Sequence, residues 1–227
     1  MAPLSPPRPR PGDRDIGIPN VPVGVFIVLE GGDSCGKSTN TQRVQQWLEE
    51  AGYNVVVTRE PGGTPLGAVI REHLLHPDST IDARTEALLY AADRAHHVDH
   101  VIRPALAQGC VVVCDRYIDS SVAYQGAGRG LGEDTIRSLS EWGTYDLTPD
   151  LTILLDVDPE QAARRRGDSH DRIESESNSF HQKVRESFLA QATQHPKRYC
   201  VIDANADENT VGNQVVAAVQ EVVDELL

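Results

Sequence analysis

Val25-Phe26-Ile27-Val28-Leu29-Glu30-Gly31-Gly32-Asp33-Ser34-Cys35-Gly36-Lys37-Ser38-Thr39 is the stretch on which the reading of this chain turns. The apolar run Val25–Leu29 predicts a strand buried on both faces. Gly31–Ser38 fit G-x-x-x-x-G-K-[ST], with glycines at 31 and 36, lysine at 37 and a hydroxyl at 38. That spacing has a physical basis. The strand must stop abruptly, and a glycine-permissive loop must turn successive backbone N–H groups inward towards phosphate oxygens. A helix must then begin with its positive end facing the same anion; Val44, Trp47, Leu48 and Ala51 supply the helical period. The stretch predicts a nucleoside-triphosphate site built from Gly31, Gly32, Asp33, Ser34, Cys35, Gly36, Lys37, Ser38 and Thr39. Lys37 is placed for the β- and γ-phosphates, and the Ser38 hydroxyl for Mg²⁺.

Outward from this loop, four more apolar runs read as buried strands: Asn54–Thr58, Cys110–Cys114, Leu151–Leu155 and Tyr199–Asp203. Helical patterns separate them. A weak helix carries Arg71. The pattern over Ala83–Gln108 bears Leu88, Ala91, Ala92, Ala95, Val98 and Ile102, and Pro104 either kinks it or opens a new segment. A polar, glycine-rich stretch, Ser120–Gly132, precedes a short helix near Asp134–Trp142. A helix with Phe180, Val184 and Phe188 follows, and the last carries Val211, Val215, Val219, Val222 and Leu226 on one stripe. Strands alternating with helices, and no amphipathic hairpin, predict an α/β fold: a five-stranded parallel sheet covered on both faces. Ligands then meet the carboxyl ends of the strands. The residues there are Gly31–Ser38, Arg59–Thr64, Asp115–Arg129, Asp156–Arg166 and Asp203–Asn205, which hold nearly every unusual polar cluster in the chain.

Composition narrows the classes. The 227 residues suit one substantial core, and a net charge of −13 argues against nucleic acid or an anionic membrane as the main partner. No apolar run approaches the roughly 20 residues of a membrane span. Cys35, Cys110, Cys114 and Cys200 have no zinc-site spacing, which predicts a reduced, cytoplasmic setting. Residues 1–22, rich in proline and arginine, read as a disordered tail ahead of a domain over 23–227.

Several constellations carry chemistry. Asp115, just past the third strand, is placed to hold Mg²⁺ or a water on it opposite Ser38, and Arg116 beside it to meet an anion. Arg164, Arg165, Arg166 and Arg172 lie in a segment, about 162–176, that reads as a solvated face in isolation and as a mobile lid in a phosphoryl-transfer enzyme; Arg166, next to Gly167, is the expected acting residue. Tyr90 and Arg94 share a helix face. Alone the pair reads as core tyrosine and surface arginine, and beside a nucleotide it can stack on and hydrogen-bond a base. His96, His97 and His100 are expected on the surface or at an interface.

With these residues in view, the chain from about Val25 to its C-terminus resembles the thymidylate kinases, P-loop nucleoside-monophosphate kinases. Arg59-Glu60-Pro61-Gly62-Gly63-Thr64 is similar to the family's loop after strand two, and Ala91-Ala92-Asp93-Arg94 follows the base-stacking position. Asp115-Arg116-Tyr117-Ile118-Asp119-Ser120-Ser121-Val122-Ala123-Tyr124-Gln125-Gly126 is nearly diagnostic, and Asp171-Arg172-Ile173-Glu174 resembles the lid's end. The resemblance implies transfer of the γ-phosphoryl group of ATP to dTMP with Mg²⁺, in a homodimer formed through the helices around Leu66–His76 and Ala83–Ala107. It implies a catalytic set of Lys37, Arg116, Asp33 and Arg166. Its substrate set is Glu60, Pro61, Arg71, Tyr90, Arg94, Arg116, Ser120, Ser121, Tyr124, Gln125, Asp171 and Glu174, with Ala204 and Asn205 bordering adenine. Ser34 and Cys35 depart from the family's usual loop residues. Without an arginine at 34, the second cation is expected from the lid; the thiol beside the phosphate cradle predicts sensitivity to thiol reagents that ATP relieves. Another nucleoside-monophosphate or deoxynucleoside kinase on the same scaffold is the alternative reading. A GTPase switch would need an N-K-x-D segment, and the chain has no Asn-Lys pair.

Overall fold

The computed structural model describes residues 24–165 and 171–227. Its frame follows from β1 (Val25–Gly31), which is buried along its whole length. A strand alternates its side chains between two faces, so a continuously apolar strand needs cover on both. Val25, Ile27 and Leu29 pack on one side with Val44 and Leu48 of α1 (Lys37–Glu50) and with Val211, Val215, Val219 and Val223 of α9 (Glu208–Leu226). Phe26 and Val28 face the other way, onto Ala87 of α3 (Ala83–His97), a π-helical turn at Val98–Ile102, and α4 (Arg103–Ala107). Full burial of each such side chain contributes about 1.5–3 kcal/mol.

The remaining strands are β2 (Val55–Arg59), β3 (Val111–Asp115), β4 (Leu151–Asp156) and β5 (Tyr199–Asp203). All pair in parallel in the order β2-β3-β1-β4-β5. The five-stranded parallel sheet with helices on both faces is therefore as the sequence implies. β1 sits at the centre, so the loop after it has strand ends on either side. No helix among the described residues is long and apolar enough to cross a membrane.

Helix starts divide into two kinds. Thr64 caps α2 (Pro65–Leu75), Asp82 caps α3, Ser177 caps α8 (Asn178–Gln194) and Asp207 caps α9, each by a side-chain oxygen accepting from backbone N–H groups. α1 starts at Gly36 with no side-chain cap, which leaves its first-turn donors to an incoming anion.

The glycine-rich stretch after β3 is not an open loop. It forms α5 (Ile118–Ser121) and a buried π-helix at Val122–Gly128, ahead of α6 (Glu133–Thr144). Its glycines admit neighbours rather than breaking structure. A Cβ on Gly126 would lie 2.9 Å from the Glu133 Cα, and one on Gly128 would lie 2.6 Å from the Phe180 ring on α8. Pro104 opens α4 rather than ending the helical run. Of the segment expected to form a lid, α7 (Pro159–Arg165) and the turn from Asp171 are described; Arg166 and the expected tail at 1–22 lie outside the described residues.

Because Phe180 is buried beside Tyr124, Gly128→Ala should overpack this junction and lower stability by about 1–3 kcal/mol in urea unfolding. A change below about 0.5 kcal/mol would show that α8 yields freely.

Candidate active site

The carboxyl ends of β1, β2 and β3 open into one cleft of about 480 Å³. The loop from Gly31 to Gly36 forms one wall. Gly31 has φ +140°, and a Cβ there would lie 2.5 Å from the Leu155 carbonyl oxygen, so a side chain is excluded on both counts. Ser34 also takes a left-handed conformation, at φ +58°. Lys37 Nζ donates to the carbonyls of Gly32 at 2.7 Å and Gly31 at 3.1 Å. These acceptors are neutral, and a phosphate oxygen offers the ammonium a stronger, charge-assisted bond.

Arg116 joins this wall to the other. Its Nη1 donates to the Gly31 carbonyl and to Ser120 Oγ, both at 3.0 Å. Its Nη2 donates to Asp33 Oδ1 at 2.5 Å and to the Tyr124 hydroxyl at 3.3 Å. The Tyr124 hydroxyl in turn donates to Asp33 Oδ2 at 3.0 Å, and the guanidinium carbon lies 5.0 Å from the Tyr124 ring centroid. Burial alone would raise the Asp33 carboxyl; Arg116, Lys37 and Tyr124 outweigh it and hold it below the usual range. Arg116 has φ +70°, a conformation costing a non-glycine residue roughly 1–2 kcal/mol.

What offsets that strain is the fully buried Glu30, a residue that no motif or spacing marks out. Its Oε1 accepts from the backbone N–H of Tyr117 at 2.8 Å and of Ser120 at 3.0 Å, and its Oε2 accepts from Ser120 Oγ at 2.6 Å. The carboxylate thus serves as the cap that α5 lacks at its own N-terminus. Burial, then the nearby Asp119, push its pKa up to about 7 against Arg116, Ser120 and Tyr117.

The third wall rises from β2 and α3. Arg94 is only 2% exposed, not a surface arginine. Its Nε donates to Glu60 Oε2 at 2.7 Å, Nη1 to Ser140 Oγ, and Nη2 to the Tyr117 carbonyl and Ser121 Oγ. A guanidinium has five N–H groups, so one on Nη1 is left without a partner among the described residues. His97 corrects the expectation of a surface histidine. It is fully buried, with Nδ1 2.9 Å from Glu60 Oε1 and Nε2 2.6 Å from Thr58 Oγ1. The buried Glu60 requires a partner on each oxygen, which holds both His97 and Arg94 inside. Burial and then Glu60 raise the neighbouring Asp93 to about 6.

Tyr90, Pro61, Arg71, Gln125, Asp171, Glu174 and Thr39 line the same cleft. Arg71 donates to the Pro61 carbonyl at 3.0 Å. Burial raises the Tyr90 phenol, and Glu86 adds to it, which leaves a neutral ring facing the cleft. Arg59 also lines it, a residue the sequence reading quoted but did not single out.

Asp115 and Ser38 line the same cleft. The Asp115 Oδ1 is buried with no hydrogen-bond partner, an arrangement that a cation satisfies. No cluster of three metal-ligating side chains exists among the described residues. Mg²⁺ in phosphoryl-transfer sites uses one or two protein ligands and completes its shell with phosphates and water, so the residues present fit it.

Some expected members lie elsewhere. Gly32 lines a smaller adjoining pocket with Val157, Ala162 and His181. Ala204 is buried in the core, and Asn205 accepts from the Asp158 backbone N–H through its side chain and from Gln161 through its carbonyl. Both border the start of α7 rather than the main cleft. Of the arginines expected in a lid, Arg165 lines the cleft and Arg164 is exposed beside Glu160. Arg172 points away, donating to the Leu74 carbonyl and to Glu86. The Cys35 thiol is 2% exposed and packed into the core, which limits the access to thiol reagents expected of it.

The family model described as thymidylate kinase matches residues 29–215. A thymidylate kinase of Clavibacter sepedonicus is 54% identical over 198 residues, covering 86% of this chain and 93% of that protein. One from Deinococcus radiodurans is 49% identical over 201 residues, covering 87% and 97%. The crystal structure of thymidylate kinase from Ehrlichia chaffeensis superposes with a TM-score of 0.73 at 35% identity, covering 87% of this chain and 98% of that one.

Glu30 makes stability depend on pH. Its pKa in the folded chain lies above the ordinary 4.5, so its contribution is full below pH 4.5 and is lost as pH rises through about 7. The urea midpoint should fall between pH 5 and 8, and Glu30→Gln should flatten that slope; Asp93, raised in the same sense, keeps the remainder. An unaltered slope in the variant would show that Glu30 titrates normally.

Proposed function

The chain belongs to the thymidylate kinase family, an enzyme transferring the γ-phosphoryl group of ATP to dTMP, and on that premise we propose how its residues divide the work. The observation that carries the assignment is Arg116, whose guanidinium touches the donor loop at Gly31 and Asp33 and the acceptor wall at Ser120 and Tyr124.

The acceptor oxygen belongs to a phosphate whose second pKa is about 6, so it is already anionic near neutrality. No general base is required. Catalysis consists of holding two anions in line and cancelling their repulsion. Lys37 and the backbone N–H groups of Gly31–Ser38 take the donor phosphates, and Arg116 exchanges neutral acceptors for the phosphoryl group in transfer. Asp33 holds Arg116 at its post through their ion pair. Arg71 takes the dTMP phosphate with Arg116. Tyr90 stacks on thymine, Arg94 offers its unpaired N–H to a base carbonyl, and Ser121 and Gln125 border the ring. Tyr124 lies under the deoxyribose. Glu60 and Pro61 support this side, Asp171 and Glu174 close it, and Ala204 and Asn205 border adenine.

Ser38 and Asp115 would hold Mg²⁺, which supplies charge neutralisation across the phosphates when bound. The second cation comes from the lid at 162–176. Arg165 fits that role as the lid arginine described at the cleft, with Arg166 next to it in sequence. We place the domain at 23–227 and the enzyme in the cytoplasm, a setting that suits its four unpaired cysteines. A homodimer is supported by exposed apolar side chains on the two helices named for it, Leu66 at 48%, Val69 at 53% and Leu88 at 58%.

Lys37→Ala and Arg116→Ala should each lower kcat by about 10²–10³-fold with an intact circular-dichroism spectrum. Near-normal turnover in either removes that residue from the mechanism. Asp115→Asn should raise the Mg²⁺ concentration needed for half-maximal rate; an unchanged requirement excludes it as a ligand. Sedimentation equilibrium should give a dimer that Val69→Glu dissociates, and a monomeric parent protein would refute the interface.

A further inference from the structure

Glu86 sits on α3 behind the cleft, with none of its side chain exposed. Two guanidiniums balance its charge: Arg172 Nη2 donates to Oε2 at 2.6 Å, and Arg129 Nε lies 3.2 Å from both oxygens. Its remaining contact is different in kind. Gln125 Nε2 donates to Glu86 Oε1 at 2.8 Å, and Gln125 itself lines the cleft. A carboxylate presents acceptors only, so it is the amide nitrogen that must face it. The amide oxygen of Gln125 is thereby turned to the other side, where no donor among the described residues meets it.

We propose that Glu86 is a positioning residue for base selection: by fixing the Gln125 amide, it presents an acceptor to the base edge and makes the site favour a pyrimidine with an N3–H over cytosine. The inference rests on the placement of Gln125 and Arg94 at the base. Thymine and uracil offer N3–H and the O4 carbonyl, which complement the Gln125 oxygen and the spare Arg94 N–H. Cytosine offers an unprotonated N3 and an amino group, so it sets acceptor against acceptor and donor against donor. Turning the amide over to suit cytosine would bring its oxygen against Glu86 Oε1 inside the protein, leaving a buried acceptor pair with no proton between them. Discrimination at the base edge is thus enforced from a residue that does not line the cleft. The 5-methyl group lies outside this device, so dUMP should track dTMP through the substitutions below.

A neutral amide at 86 accepts either orientation of Gln125, since it can donate or accept. In steady-state ADP release, Glu86→Gln should lower the dTMP-to-dCMP ratio of kcat/KM by about 10- to 100-fold, chiefly through KM, with kcat on dTMP within about threefold. The exchange variant Glu86→Gln with Gln125→Glu should recover the ratio, because the amide at 86 now donates to a carboxylate whose other oxygen accepts from N3–H. The same preference should appear in thermal shifts produced by dTMP and dCMP, which require folded protein but no turnover. A ratio unchanged by Glu86→Gln, or a loss of kcat equal on both nucleotides, overturns the proposal and leaves Glu86 as an anchor for Arg129 and Arg172. Gln125→Ala separates the two levels: if it leaves the ratio unchanged, Gln125 is not at the base; if it collapses the ratio while Glu86→Gln does not, only the role of Glu86 fails.

Discussion

A guanidinium placed between a carboxylate, two hydroxyls and a carbonyl holds the active site together. Arg116 reaches Gly31 and Asp33 on the loop after β1 and Ser120 and Tyr124 on the helical segment after β3. Removing such a partly buried charge from water is expensive unless each contact is well made, so the arginine fixes the relative position of both segments. Its own backbone is strained at φ +70° and is held by Glu30, which ties down the N–H groups of Tyr117 and Ser120. Glu30 belongs to β1, the strand covered on both faces. The rigidity of the core is passed through one buried carboxylate to the arginine that joins two walls of the cleft.

A second buried carboxylate organises the wall that rises from β2 and α3. Glu60 pairs with Arg94 and His97, and Arg94 then spans Ser140 of α6, Tyr117 after β3 and Ser121 of α5. Glu86 is a third, gathering Gln125, Arg129 and Arg172. Each removes charge from solvent and is matched by several donors, the condition under which buried polar networks specify a single arrangement. These networks tie α3 to the segments after β2 and β3, whereas Arg165 sits at the end of the short helix α7. The division suits a site that must recognise one nucleotide and close over another.

The parallel sheet, the phosphate loop and most of the cleft were legible because their signals are local. Val25–Leu29 and Cys110–Cys114 are continuous apolar runs, and the loop pattern lies directly after the first of them. The three carboxylates were not legible as organisers, because their partners are remote: Ser120 is 90 residues from Glu30 and Arg172 is 86 from Glu86. Spacing along a helix cannot show that His97 turns inward to a carboxylate on another segment. Arg94 read as exposed when considered alone for the same reason. The helical form of Ser120–Gly132 was not legible either, since glycines that usually mark loops here admit Phe180 and the start of α6. Ala204 and Asn205 lie beyond β4, on the far side of the sheet order from the acceptor wall, so they belong to a different part of the surface from the main cleft.

The most direct test of the account is ADP release measured at fixed ATP and Mg²⁺ across a panel of nucleoside monophosphates. A two-substrate cleft joined by Arg116 predicts slow release with ATP alone, strong stimulation by dTMP, and little by dCMP, AMP or GMP. Release that dTMP does not stimulate, or that AMP stimulates equally, would contradict it.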